Sequence, residues 1–386
     1  MSETRRFRLT IAGIVALGIV PAFVVRAEPP RQQRATAEFF QRLDKNRDGK
    51  LVRDELPEPI RKNFDRVDTN GDGAITPKED EAFRNRRRMV GERRSGRPGQ
   101  PRASDRIRTE LDVPYADTDN PRQRLDLLLP SNPGGDQPLP VVVWIHGGAW
   151  QAGSKGSGTG RLGELVSGGN YAGVSVAYRL SSEAIWPAQI HDCKAAIRWV
   201  RAHAKRYNLD GSRIGVWGSS AGGHLVAMLG TSGGVKELEG DLGKHTDQDS
   251  RVTCVVDYFG PSDLLSMGKY PSRMDHDSAD SPESRLVGGP LQETKHAARG
   301  ASPISYVSKD DPPFLIAHGT EDQLVPLNQS ERLDASLRKA GVDVLLVKMV
   351  GAGHGFRNEE ITRRVHAFFE KHLRGKDVDI SGEPIE

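Results

Sequence analysis

Only two cysteines, Cys193 and Cys254, occur among 386 residues. So few exclude a disulfide framework and any zinc site built on paired cysteines. Cys193 falls in an apolar helical pattern and Cys254 in a strand-like run from Val252 to Val256, which predicts two buried thiols. A single bridge between them stays open, because the chain carries an export-like leader. After residue 25 no apolar run is long enough to cross a bilayer. Charge of one sign is also scarce. The net is +3: residues 1–104 hold 23 Lys and Arg against 15 Asp and Glu, the remaining 282 hold 32 against 37. Any attraction to anionic partners therefore belongs to the front of the chain, at net +8, and not to the rest, at net −5.

The front opens on Arg5, Arg6 and Arg8, followed by an apolar stretch from Leu9 to Val25 and the small-x-small triplet Val25-Arg26-Ala27. This is the layout of an export signal over residues 1–27, with cleavage expected after Ala27. Thr4-Arg5-Arg6-Phe7 partly resembles a twin-arginine signal. Left uncleaved, the 17 apolar residues would just anchor the chain in a membrane.

Residues 36–83 carry an internal repeat. Phe40-Gln41-Arg42-Leu43-Asp44 recurs 24 positions later as Phe64-Asp65-Arg66-Val67-Asp68. Each copy enters a twelve-residue acidic loop, 44–55 and 68–79, matching the EF-hand pattern D-x-[DN]-x-[DN]-G-x5-E. Oxygens at positions 1, 3 and 5, a carbonyl at 7 and a bidentate Glu at 12 suit Ca²⁺, and Gly at 6 permits the turn. The expected ligands are Asp44, Asn46, Asp48, the Lys50 carbonyl and Glu55 in loop one. In loop two they are Asp68, Asn70, Asp72, the Ala74 carbonyl, Thr76 and Glu79. Loop one balances four acids against four bases; loop two carries three acids against Lys78. Position 9 is Val52 in one and Thr76 in the other, and only a hydroxyl holds a bridging water. Loop two is expected to bind more tightly. The twelve-residue spacer with Pro57 and Pro59 favours a structural or tethering module over an opening switch.

Residues 84–104 hold eight arginines, one acid (Glu92) and two prolines, too little apolar surface to fold alone. A solvated tether is the plain expectation. An anionic surface or polysaccharide is the alternative partner; without interleaved aromatics to stack bases, nucleic acid is not expected.

From residue 105 to 375 strand-like and helix-like segments alternate, ahead of a tail at 376–386. Strands are expected at 125–129, 141–146, 173–178, 213–218, 252–259, 314–318 and 344–350, and helices at 187–207, 328–340 and 359–373. β-rich apolar runs between helices indicate an α/β fold: a mostly parallel sheet covered on both faces, behind a small all-α EF-hand module. Residues 232–250 and 262–300 fit neither pattern and are candidates for a cap or for substrate-facing insertions.

Gly218-Ser219-Ser220-Ala221-Gly222 follows a strand and precedes a helix, the G-x-S-x-G elbow that exposes a serine hydroxyl on a sharp turn. In such a fold the partners follow in the order acid, then histidine. Asp322 stands in His318-Gly319-Thr320-Glu321-Asp322 and His354 in Gly353-His354-Gly355-Phe356, each just after a strand. His354 is the expected base and Asp322 its orienter. Ser219, Glu321 and Asp263 are weaker rivals for these roles. Gly148 and Ala149, in His146-Gly147-Gly148-Ala149-Trp150, and Ala221 offer backbone N–H groups for an oxyanion.

These segments, with Arg124-Leu125-Asp126-Leu127, Ala177-Tyr178-Arg179-Leu180, Pro187-Ala188-Gln189-Ile190-His191-Asp192 and Ser302-Pro303-Ile304-Ser305, make some 70% of the chain resemble a known family. It is similar to α/β-hydrolases of the bacterial feruloyl-esterase and hormone-sensitive-lipase-like carboxylesterase group. The resemblance implies a serine carboxylesterase, with acetyl or feruloyl esters of polysaccharide as plausible substrates. It makes Asp192 structural. Ala149 departs from the third glycine of lipase-like relatives, which narrows the room for a bulky alcohol. The same triad would serve a peptidase or amidase, and a calcium-dependent surface-binding protein on a hydrolase scaffold is the reading from another class.

Overall fold

The longer, carboxyl-terminal part of the sequence folds around one eight-stranded sheet. In the computed structural model residues 106–386 are described continuously, preceded by 43–46, 48–56, 61, 64–68, 72–80 and 83. The leader, the arginine-rich linker and Asn70 lie outside the described residues. Two compact units divide between residues 100 and 101.

In the amino-terminal unit, β1 (Leu51–Val52) pairs antiparallel with β2 (Ala74–Ile75), Leu51 opposite Ile75. These are the eighth residues of the two acidic loops, so the repeat closes into one ribbon. Leu51, Leu56, Phe64, Val67 and Ile75 form its small core.

The second unit contains β3 (Ile107–Pro114), β4 (Arg124–Pro130), β5 (Leu139–Ile145), β6 (Ala172–Val176), β7 (Leu209–Ser219), β8 (Cys254–Tyr258), β9 (Phe314–Gly319) and β10 (Val344–Met349). Their order is β10-β9-β8-β7-β5-β6-β4-β3, with β3 and β4 antiparallel to their inner neighbours and the rest parallel. The main helices are α1 (Gly158–Ser167), α2 (Ala188–Ala202), α3 (Ala221–Thr231), α4 (Asn328–Ala340) and α5 (Glu359–Arg374). Alternation along β5 assigns the faces. Val141, Val143 and Ile145 pack with α2, α3 and α4; Val142 and Trp144 pack with α1 and α5. Every residue of β5 and β6 is buried, as a strand covered on both sides requires.

Three details differ from the sequence reading. The strand β3 was not anticipated: its residues are mostly exposed, because an edge strand carries no two-faced apolar run. The expected helix 187–207 breaks at His203, and its last turn ends at Asn208 in the left-handed region, φ +53°. The two insertions part company. Residues 232–250 fold against α2, where Glu239 takes Lys194 at 2.7 Å, while 262–300 reach the edge of the sheet where Ser220 lies. Cys193 and Cys254 are both buried free thiols. Burial pushes both thiols up. Among the described residues no helix is long and apolar enough to cross a membrane.

Candidate functional site

Parallel strands bring their carboxyl ends to one edge, and four of them deliver chemistry there. β7 runs into Ser220, whose backbone adopts φ +56°, ψ −125°. That conformation costs a non-glycine residue on the order of 1–3 kcal/mol and persists only where the surroundings enforce it. Here the Ser220 N–H donates to the Tyr258 carbonyl at 2.8 Å, and the Ser220 carbonyl accepts from His224 at 2.9 Å. Glycine is required at 222 because a Cβ there would strike the carbonyl oxygen of Ile145 at the end of β5.

The loops after β9 and β10 supply the partners. His354 Nε2 lies 3.0 Å from Ser220 Oγ, and His354 Nδ1 lies 2.7 Å from Asp322 Oδ2. The Asp322 carboxylate also accepts from the N–H groups of Leu324 (2.8 Å) and Val325 (3.0 Å) and from His318. Burial alone would raise its pKa. The bonds from His318 and His354 outweigh that, and the carboxyl sits well below the usual carboxylate range. Phe259 packs edge-on against the His354 ring, centroids 4.7 Å apart.

The loop after β5 turns sharply: φ is +118° at Gly148, +54° at Ala149 and +56° at Trp150. The Gly148 carbonyl accepts from Gln151 and Ala152, closing the turn. Among the described residues no backbone carbonyl accepts from the N–H of Gly148, Ala149 or Ala221, and all three residues line the cavity at Ser220. Ala149 thus keeps its amide free despite the lost glycine. Trp150 anchors the loop by donating to His224 Nδ1 at 3.2 Å, and His224 Nε2 donates to the Ala301 carbonyl at 2.7 Å. Burial lowers the His224 pKa to about 4, so the ring is neutral and passes the bond on. Sequence reading missed this relay. His224 sits one turn into α3 and gives no motif signal.

The rivals resolve by geometry. His354 takes Ser220, not Ser219; Glu321 is exposed; Asp263 pairs with Arg332 at 2.6 Å. Asp192 is fully buried and bridges Arg179 and Gln123, tying the loop after β6 to α2. The cavity beside Ser220 holds about 410 Å³, walled by Phe259, Pro261, Met274, Pro282, Leu324 and Val325.

In the EF-hand loops, Gly49 and Gly73 both adopt φ +81° and donate to the first-position carboxylates, Asp44 at 2.8 Å and Asp68 at 2.9 Å. Asp48 and Asp72 accept from Lys50 and Ala74. Glu55 reaches the N–H groups of Lys45 and Val52; Glu79 takes both the N–H and the hydroxyl of Thr76. Among the described residues no three His, Cys, Asp or Glu side chains gather closely enough to hold a metal ion. The expected donors are nonetheless all oxygens, which suits a hard cation.

A family model, BD-FAE, matches residues 125–337, and an EF hand model matches 36–56 and 60–79. The chain belongs to the BD-FAE family. Its β5 loop, elbow and Asp322 all fall inside the matched span. Esterase LipC of Mycobacterium tuberculosis is 34% identical over 247 residues, 62% of this chain and 58% of that protein. Esterase LipQ of the same organism is 33% identical over 56% of this chain and 50% of its own length. The chain therefore spans about half the length of the curated relatives it matches. Among solved structures, a truncated carbohydrate esterase from gut microbiota is 36% identical over 69% of this chain and 96% of its own, TM-score 0.63. A bifunctional GH43-CE protein of Bacteroides eggerthii is 36% identical over 69% and 35%, TM-score 0.64. The BD-FAE domain is thus an α/β-hydrolase.

Proposed function

We propose that the protein is a serine carboxylesterase acting through an acyl-enzyme on Ser220. The observation that carries this is the unbroken chain of bonds from Asp322 through His354 to Ser220, on a strained elbow facing three free amides. Ser220 Oγ attacks the ester carbonyl as His354 Nε2 takes its proton, and Asp322 stabilises the imidazolium. The N–H groups of Gly148, Ala149 and Ala221 receive the oxyanion. Collapse expels the alcohol, which takes the proton from His354. Water, activated by the same ring, then releases the acid and frees Ser220.

The esterase names of the relatives support the reaction class, and the carbohydrate-esterase neighbours support acetyl or feruloyl esters of polysaccharide. Calcium belongs to the reading as a structural ion, held by Asp44, Asn46, Asp48, the Lys50 carbonyl and Glu55, and by Asp68, Asn70, Asp72, the Ala74 carbonyl, Thr76 and Glu79. It would supply charge compensation among those carboxylates and take no part in ester cleavage. Export completes the reading, supported by the basic and apolar segments of residues 1–27. Turnover of p-nitrophenyl acetate and butyrate by wild type and Ser220→Ala tests the central claim: turnover that survives the substitution refutes it.

A further inference from the structure

The cavity beside Ser220 is lined in part by a buried polar pair that the mechanism does not use. It comes from the 262–300 insertion, where His276 and Glu283 line the cavity alongside Met274 and Pro282. Both are buried, their side chains 1% and 4% exposed, and His276 Nδ1 lies 3.2 Å from Glu283 Oε2. At that distance they are close but not aligned to bond, and both atoms are orphaned.

The proton arrangement follows from the neighbouring bonds. Ser272 donates its hydroxyl to the Gln323 carbonyl at 2.9 Å, so its oxygen accepts from His276 Nε2 at 3.1 Å. Nε2 therefore carries a hydrogen. Nδ1 and Oε2 face each other at 3.2 Å with no hydrogen bond between them. Glu283 Oε2 is thus a buried acceptor without a partner, on a residue that lines the cavity. An unmet carboxylate oxygen in an otherwise apolar wall costs free energy unless a ligand satisfies it. The group that fits is a hydroxyl, which donates to the Glu283 carboxylate while the ester carbon sits over Ser220.

We propose that the Glu283–His276 pair is a specificity element that selects esters bearing a free hydroxyl near the scissile bond, as partially acylated sugars do. This rests on the esterase reading above. A site built to bond a hydroxyl rejects analogues lacking it far more strongly than an apolar wall rejects an extra one.

Two esters separate the possibilities: methyl xyloside monoacetate, and cyclohexyl acetate, its counterpart without hydroxyls. Wild type should prefer the xyloside ester in kcat/KM by about tenfold or more, the range one hydrogen bond to a charged group gives. Glu283→Gln should remove most of that preference, chiefly through KM, while cyclohexyl acetate changes by less than about twofold. Equal losses on both esters, no loss on either, or a wild type with no preference overturns the proposal. Should Glu283→Gln fail to fold, inhibition of wild-type p-nitrophenyl acetate turnover by methyl xyloside decides, with cyclohexanol as control. Equal inhibition by the two alcohols overturns the selection. Absence of Ser220-dependent turnover on p-nitrophenyl acetate is a separate result, which refutes the esterase reading instead.

Discussion

His318 Nε2 lies 3.2 Å from Asp322 Oδ2, the same oxygen that His354 Nδ1 approaches at 2.7 Å. His318 Nε2 also faces the Val325 carbonyl at 2.9 Å, so it carries the hydrogen, and Nδ1 accepts from Ser330 Oγ at 2.7 Å. A second, fully buried imidazole thus fixes the carboxylate that fixes the base. His318 is a positioning residue, since it touches neither the cavity nor Ser220. His318→Leu should lower kcat by about 10- to 100-fold with KM little changed, the scale of one lost bond to a charged group. It should also raise the Asp322 pKa toward the ordinary carboxylate value, because one of the bonds that holds it down is lost. Partial recovery in His318→Gln, whose amide donates, distinguishes positioning from packing.

Asp322→Asn should reduce kcat by roughly 10⁴-fold while leaving substrate binding close to wild type, because an amide holds the wrong tautomer of His354. Steady-state kinetics on p-nitrophenyl butyrate check this. A loss confined to KM would remove Asp322 from the orienting role.

Gly222→Ala should destabilise the fold as well as the site. The added Cβ meets the Ile145 and His146 carbonyls, and backbone cannot yield as a flexible side chain does. Overpacking of this kind costs about 1–3 kcal/mol or more. Urea unfolding followed by circular dichroism measures it; an unchanged midpoint would show that the elbow has room the geometry denies.

Much of this was legible in the sequence, and the reasons are local. The elbow, Asp322 and His354 each follow an apolar β-rich run, so strand ends could be placed and the chain order did the rest. Leu51 and Ile75 stand at the eighth position of the two repeat copies, 24 residues apart, and the ribbon pairs them. What escaped has no local signature. The β3 strand is an exposed edge whose partner, not its composition, makes it a strand. His318 was read only as part of a motif, and His224, His276 and Glu283 were passed over, because their partners lie 4 to 77 residues away and only folding brings them together. Separating the 232–250 segment from the 262–300 segment likewise needed the Glu239 contacts to α2.

Asp68→Ala should weaken calcium binding more than Asp44→Ala. Loop two carries less opposing positive charge, and Thr76 places a hydroxyl at position 9 where loop one has Val52. Titration calorimetry of the two variants against wild type measures the difference. A larger loss from Asp44→Ala would reverse the ranking. EDTA should leave ester turnover unchanged at temperatures where the protein stays folded.

Asp257 gives a pH-dependent prediction whose sign can be worked out. It is fully buried in β8 beneath the elbow; Oδ1 accepts from Gly260 N–H at 2.9 Å and Oδ2 has no partner. Burial raises its pKa to about 7, against the modest lowering by the Gly260 bond. Between the unfolded value near 4 and the folded value, the native state holds a proton that the unfolded chain has lost. Stability is therefore full below about pH 4 and declines as pH rises through 7, by at most a few kcal/mol for a shift of this size. Asp257→Asn imitates the protonated acid and removes the dependence. The variant should match wild type near pH 4–5 and be the more stable protein at pH 8, as read from urea midpoints at the two values. If wild type instead gains stability relative to the variant as pH rises, Asp257 is ionised in the native state and its orphaned oxygen has a partner in solution.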